Sequence, residues 1–316
     1  MTARSARWLL VLAAILWSSG SLFMRLLQRP TALGLDSPPL SEIQIAFYRA
    51  LFAGLCLVPL LRRADIRFRP AMGALVGMFA VMNALYVSAL GLGSAANAIF
   101  LQNSSPVWVF FLGWWLLREK ADRRSLSAIL IAFLGVVVIV AGNWPNGGDA
   151  GGAQQIDVLL MGIGSGATYA GVVLLLRYLK DESATWMMTL NLLGTAGMLG
   201  VYFLVKLGPE GLWNWLTAPT AKQLLFLAFF GGVQLAAPYV IFARSLRSVS
   251  PNEASIITLL EPVLNPLWAY LIDPQGETPT WWTVAGGALL LAALAWRYAP
   301  RRSGSVIMPS NDGAAR

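Results

Sequence analysis

The chain has 316 residues, of which 57% are hydrophobic and 12% charged, about half the charged fraction of a soluble globular protein. With no histidine and a single cysteine, Cys56, it lacks the means for a histidine-based catalytic pair, a zinc finger, a haem site or an internal disulfide. The formal charge of +8 is spread in short basic runs between apolar stretches, which argues against nucleic acid as a partner and for Lys and Arg as orientation signals.

The first apolar stretch, 8–27, follows Arg4 and Arg7 but runs into Trp17-Ser18-Ser19-Gly20, which offers no small-x-small cleavage site with an alanine pair, so it reads as a retained span and not a signal peptide. Four more complete the first half: 41–61, which contains Arg49; 71–91, with Asn83 and Tyr86 on one face at i and i+3; 95–117, with Gln102, Asn103, Pro106 and Trp108; and 126–142. The Gly-rich segment 143–155 reads as a flexible link. Beyond it lie 156–177 with Tyr169, 185–206, 222–244 with Gln234 and Tyr239, 252–272, and 281–299, followed by a polar tail over 300–316. At 1.5 Å rise per residue each stretch covers a hydrocarbon core of about 30 Å, the shortest barely, and only a helix leaves no backbone polar group facing lipid. The expected fold is therefore an all-α polytopic membrane protein of ten transmembrane helices, with the bilayer as its surroundings.

Counting basic residues tests that number. With both termini on the cytoplasmic side, 18 Lys and Arg fall inside, while Arg25, Arg29, Lys206 and Lys222 fall outside and Arg49 lies within a span. This is the positive-inside bias, and an error of one helix would scramble it. Sliding one half against the other by 156 sets Leu90 on Leu246, Ser94 on Ser250, Ala98 on Ala254, Pro106 on Pro262 and Val107 on Val263. A shift of 152 sets Trp17 on Tyr169 and Arg25 on Arg177. Five spans per half force the two copies into opposite orientations, so the domains read as repeats over 8–142 and 156–299 around a midplane site.

Two ionisable side chains fall well inside the spans, Arg49 and Glu261, and charge at that depth marks a functional candidate. Arg49 is read either as a packing residue satisfied by carbonyls or a carboxylate, or as the binder of a substrate carboxylate. Thr258, Glu261, Asn265 and Trp268 share one stripe of the ninth span. Pro262 and Pro266 withhold two backbone donors there, which makes that helix bendable, as Pro106 does in the fourth span. Glu261 is a candidate for proton coupling or for a substrate ammonium group, and structural pairing with Arg49 or a polar neighbour is the alternative. Trp17, Asn83, Tyr86, Gln102, Asn103, Trp108, Tyr169, Gln234, Tyr239, Thr258 and Asn265 complete a candidate cavity of apolar surface with a few hydrogen-bonding groups. Trp114, Trp115, Trp213, Trp215, Trp281 and Trp282 read as interface anchors.

Trp17-Ser18, Phe47-Tyr48-Arg49, Tyr86 through Leu90 into Ser94 through Ala98, Pro106-Val107 through Arg118-Glu119-Lys120, Ser250 through Leu260-Glu261-Pro262-Val263, and Gly276-Glu277 follow one another in an order that resembles the ten-helix EamA branch of the drug/metabolite transporter superfamily over about residues 8–299. The resemblance implies a 5+5 inverted-repeat carrier in the bacterial cytoplasmic (inner) membrane, commonly an exporter of amino acids or related small amphipathic metabolites. It implies no catalytic residue, metal or cofactor, and the absence of a G-x-x-x-x-G-K-[ST] segment agrees with transport without ATP hydrolysis. The chain departs from the common pattern at Ser18, at Tyr169 and in the inserted Asp273-Pro274-Gln275, so no particular substrate carries over. The coupling ion, with protons as the candidate, and the choice between monomer and homodimer stay open at this stage. A polytopic membrane enzyme and a channel or scaffold are the competing classes.

Overall fold

The computed structural model describes residues 2–117, 123–145, 152–245, 248–249 and 251–298. Arg118, Glu119, Lys120, Leu246, Arg247, Ser250, the link residues 146–151 and the tail over 300–316 lie outside the described residues. The described residues contain helices and no strand.

Helices fall on the apolar stretches in chain order. They are α1 (Ala3–Ser18) and α2 (Gly20–Gln28), α3 (Glu42–Leu57), α4 (Pro70–Leu92), α5 (Ala95–Gln102) and α6 (Ser105–Leu117), and α7 (Arg123–Gly142). Then come α8 (Gly152–Tyr178), α9 (Ala184–Thr217), α10 (Ala221–Phe230), a π-helical turn (Gly231–Ala236) leading to α11 (Ala237–Ser245), α12 (Pro251–Thr258) and α13 (Leu260–Ile272), the single turn α14 (Pro274–Glu277) and α15 (Trp281–Tyr298). Six helical segments among the described residues are long and apolar enough to cross a membrane: Ala3–Gln28, Glu42–Leu60, Pro70–Leu92, Gly152–Tyr178, Ala184–Thr217 and Ala221–Ser245. Two shorter apolar helices cover Leu126–Gly142 and Ile256–Ile272. Large apolar side chains lie exposed along these rods, among them Leu130, Val205, Leu225 and Leu271, a surface that suits lipid and not water.

Sequence chemistry explains where the rods start and break. Ser41, Ser94, Ser183 and Thr220 each accept the backbone N–H three residues on, the cap that an exposed helix N-terminus needs. Breaks after Gln102 and after Thr258 precede Pro106 and Pro262, whose rings have no N–H to give back to Gln102 and Thr258. Pro266, by contrast, sits inside α13, which continues through it. The first rod breaks at Ser19, where the hydroxyls of Ser18 and Ser19 bond back to the carbonyls of Ile15 and Leu16.

The connection at Trp144 and the loops holding Gly93 and Thr280 form one end of the bundle, here the link face; Arg7, Arg69, Arg124 and Trp296 mark the other, the terminal face. Across the bundle α7 lies along α15, α8 against α4, α5 and α6, α9 against α3 and α4, and α1 against α11, α12 and α13. The α7–α15 crossing is close because it is made of glycine: a Cβ on Gly135 would stand 2.7 Å from the carbonyl oxygen of Gly286. Gly135→Ala is therefore expected to destabilise the protein by about 1–3 kcal/mol, read as a lower thermal midpoint in detergent, and an unchanged midpoint contradicts this crossing. Of the tryptophans read as anchors, Trp213, Trp281 and Trp282 are exposed. Trp215 instead turns inward, stacked on Phe203 and edge-on to Phe47. The side chains of Trp114 and Trp115 lie outside the described residues.

Candidate functional site

Halfway along the rods, polar side chains from five of them meet. Arg49, in the middle of α3, is 3% exposed. Its Nη2 donates to the Asn83 side-chain oxygen on α4 and its Nη1 to Gln234 Oε1 on the π-turn, 3.5 Å away, while the guanidinium lies 5.5 Å from the Phe230 ring centroid. Gln234 reaches it because the π-turn rides directly on α3: a Cβ on Gly231 would stand 2.6 Å from the Arg49 carbonyl oxygen. Pro238 opens that turn, since it cannot bond the Gln234 carbonyl, and π-turns of this kind recur at functional sites. The other end of Gln234 donates to the Trp17 carbonyl at 2.9 Å, beside the break in the first rod. Trp17 in turn packs edge-on against Tyr239 and against Phe242, with centroids 5.2 and 5.3 Å away.

The ninth rod closes the circle. Asn265 donates from Nδ2 to the Tyr86 hydroxyl at 3.3 Å, and its carbonyl accepts from Ser21 Oγ at 2.5 Å. Trp268 donates to Ser18 Oγ at 2.9 Å. Glu261, one turn towards the terminal face, is half-buried and lies near both Tyr86 and Tyr239. Tyr169 on α8 lies near Tyr239. Arg49 and Glu261 do not form an ion pair among the described residues. Arg49 takes neutral amide partners, Asn83 and Gln234, instead.

Unmet bonding capacity marks this cluster. Arg49 Nε, Asn83 Nδ2 and Asn265 Oδ1 are buried without a hydrogen-bond partner, and buried polar atoms are paired in the great majority of cases. The Glu261 carboxylate makes no ion pair among the described residues. The site thus offers donors from Arg49 and Asn83 and acceptors from Asn265 and Glu261 within an aromatic surround of Trp17, Tyr86, Tyr169 and Tyr239. Exposure is graded through it. Arg49, Asn83, Tyr86, Gln234 and Asn265 are buried, whereas Trp17, Tyr239, Thr258 and Glu261 are half-exposed and Tyr169 exposed.

Gln102, Asn103 and Trp108 form no hydrogen bond to that circle among the described residues. They flank the break between α5 and α6, where Asn103 Nδ2 bonds the Ile99 carbonyl and Trp108 bonds Ser104 Oγ. The candidate residues also missed a second buried charge. Arg25 on α2 and Glu277 on α14 pair at 2% and 1% exposure, so Arg25 is not the loop charge that the orientation count made of it. The available signal was its position inside the first apolar stretch and not beyond it.

Comparison with known proteins agrees with this architecture. The model of the EamA-like transporter family matches residues 4–141 and again 157–298. An uncharacterized transporter of Archaeoglobus fulgidus is 29% identical over 291 residues, covering 91% of this chain and 95% of that protein. Solute carrier family 35 member G1 of Homo sapiens is 25% identical over 297 residues, 90% of this chain and 75% of its own length. A crystal structure with a TM-score of 0.61 and 16% identity covers 95% of this chain and 99% of its own and has the same fold.

Proposed function

The chain belongs to the EamA-like transporter family, and we propose that it is a secondary transporter that moves a small zwitterion, an amino acid or a related amphipathic metabolite, outward across a bacterial inner membrane by alternating access. The names of its relatives point to transport and not to catalysis. The observation that carries the substrate reading is a buried guanidinium with an unused donor and, across the same cluster, a carboxylate that makes no ion pair among the described residues. A carboxylate guest fits Arg49 and Asn83, an ammonium group fits Glu261 and Asn265, and the side chain of the guest fits among Trp17, Tyr86, Tyr169 and Tyr239. In this reading Glu261 takes either a proton or the substrate ammonium, so that a proton entering displaces a substrate leaving.

We read the rods as ten spans in two inverted repeats, 8–142 and 156–299, with both termini cytoplasmic. Three features support this. The family model matches twice, once in each half. The breaks at Asn103 and Leu259 are 156 residues apart, the same offset as Pro106 and Pro262. Packing partners also exchange between halves: the third rod on the sixth mirrors the eighth on the first, the fourth on the sixth mirrors the ninth on the first, and the fifth and tenth pair with each other.

Flux into proteoliposomes tests the substrate class. Labelled neutral amino acids are expected to move, whereas their methyl esters and N-acetyl derivatives, each missing one charge, move at least about tenfold more slowly. Equal transport of all three forms rejects a site that reads both charges. Trp17→Ala is expected to raise the apparent KM about tenfold through lost aromatic contact at normal protein yield; an unchanged KM makes Trp17 a packing residue only.

A further inference from the structure

The link face of the bundle is held shut by charge. Arg25 Nε and Nη2 both reach Glu277 Oε1, and Glu277 Oε2 accepts the backbone N–H of Ala95 at 2.8 Å, the first residue of α5. The remaining guanidinium donors go to Gln28 Oε1 at 2.8 Å and to the carbonyl oxygens of Gly93 at 2.6 Å and Gly91 at 3.4 Å. One ion pair therefore ties the end of the first rod, the loop joining the third and fourth, and the segment joining the ninth and tenth. Beside it, nearer solvent, Arg29 pairs with Asp273 at 2.8 Å, and Gln28 bonds Glu42 at 3.1 Å.

This cluster lies between the candidate site and one face only. On that side the polar residues of the site are buried, as is Ser21 just above the break in the first rod; on the other, Trp17, Tyr239, Thr258 and Glu261 are half-exposed and Tyr169 is exposed. The link face is thus closed over the candidate site by this cluster. Arg177, the residue that the 152 shift sets on Arg25, is exposed at the terminal face, whereas Arg25 is 2% exposed. The two equivalent arginines thus sit in opposite environments in one conformation.

We propose that the Arg25–Glu277 pair is the gate of the link face: it holds that face closed in this conformation and must separate each time the cavity opens there. The proposal rests on the alternating-access reading. Its chemistry favours a switch over a permanent staple. A buried pair gives back much of its attraction in lost hydration, so both charges can part when the opening face admits water, whereas removing one partner alone leaves the other charge unpaired. A purely apolar seal has no such release.

Two measurements test the gate in a Cys56→Ser background. In the first, Arg29→Cys and Asp273→Cys, whose side chains touch beside the gate, are bridged with a reducible bifunctional thiol reagent while Arg25 and Glu277 stay intact. Flux in proteoliposomes is expected to fall at least about tenfold on bridging and to return on reduction. In the second, Ser21→Cys reports access from the link face to a membrane-impermeant thiol reagent, and adding Glu277→Gln is expected to raise its labelling rate by about tenfold or more. If Glu277→Gln does not fold, the bridging measurement decides alone. Bridged protein that transports at the unbridged rate, or labelling unchanged by Glu277→Gln in folded protein, overturns the gate. Failure of the transporter reading is separate, because it leaves the unbridged protein without flux while the labelling measurement still reports on closure.

Discussion

Glu261→Gln is expected to abolish accumulation driven by a pH gradient while leaving exchange of substrate for substrate measurable. The glutamine keeps the shape and still offers an oxygen to an ammonium group, but it cannot take up a proton. Losing a charged partner for a neutral one costs about 1.5–3 kcal/mol, so the KM for exchange is expected to rise by about 10- to 100-fold. Folded yield should hold, because the Glu261 carboxylate forms no ion pair in the fold among the described residues. This outcome separates a coupling role from a structural one, in which removing one member of a buried pair costs about 3–5 kcal/mol and the protein is lost before it can be assayed. Normal pH-driven flux at normal yield removes Glu261 from the coupling step.

Arg49→Met tests the other end of the guest. Methionine replaces the buried guanidinium with apolar volume and strands the side-chain oxygens of Asn83 and Gln234 that the arginine now bonds. Each stranded group costs about 1–3 kcal/mol, offset by the desolvation that a buried charge no longer demands. The variant should therefore fold with a lowered thermal midpoint. Transport of substrates with a free carboxylate is expected to fall by about 100-fold or more, since no other described cation borders the cluster. Arg49→Lys should recover only part of the loss, because a single ammonium cannot hold Asn83, Gln234 and a guest from three directions as the planar fork does. If Arg49→Met transports carboxylated substrates as well as the native protein, Arg49 serves packing alone.

Much of this site was legible in the sequence because lipid makes polarity expensive. Arg49, Asn83, Gln234 and Asn265 stood out as polar residues inside apolar stretches, and the structure draws them into one cluster. Pro106 and Pro262 likewise announced rods interrupted near the middle. Other features depend on tertiary packing that no stretch of chain reveals. Arg49 and Glu261 both fall well inside the spans, which left a pair open, yet Gly231 brings the π-turn so close to α3 that Gln234 stands beside the guanidinium. Trp215 has the position of an interface anchor, but the kink at Gly208, with φ of 71°, folds the end of α9 back so that its ring stacks inward. Arg25 and Glu277 are 252 residues apart, and burial of that pair emerges only when two distant loops close over each other. Asn103 and Trp108 were grouped with the cavity by their shared helix, and at the break between α5 and α6 both bond to groups of their own rod.

Counterflow in proteoliposomes bears most directly on the central claim, that one cavity between two inverted halves serves the two faces in turn. Vesicles loaded with an unlabelled neutral amino acid, diluted into a trace of the labelled form without any ion gradient, are expected to accumulate label transiently above its outside concentration. The rate should saturate with substrate and fall sharply in Arg49→Met. Label that merely equilibrates, at a rate indifferent to the internal amino acid and linear in concentration, contradicts a carrier and identifies a channel.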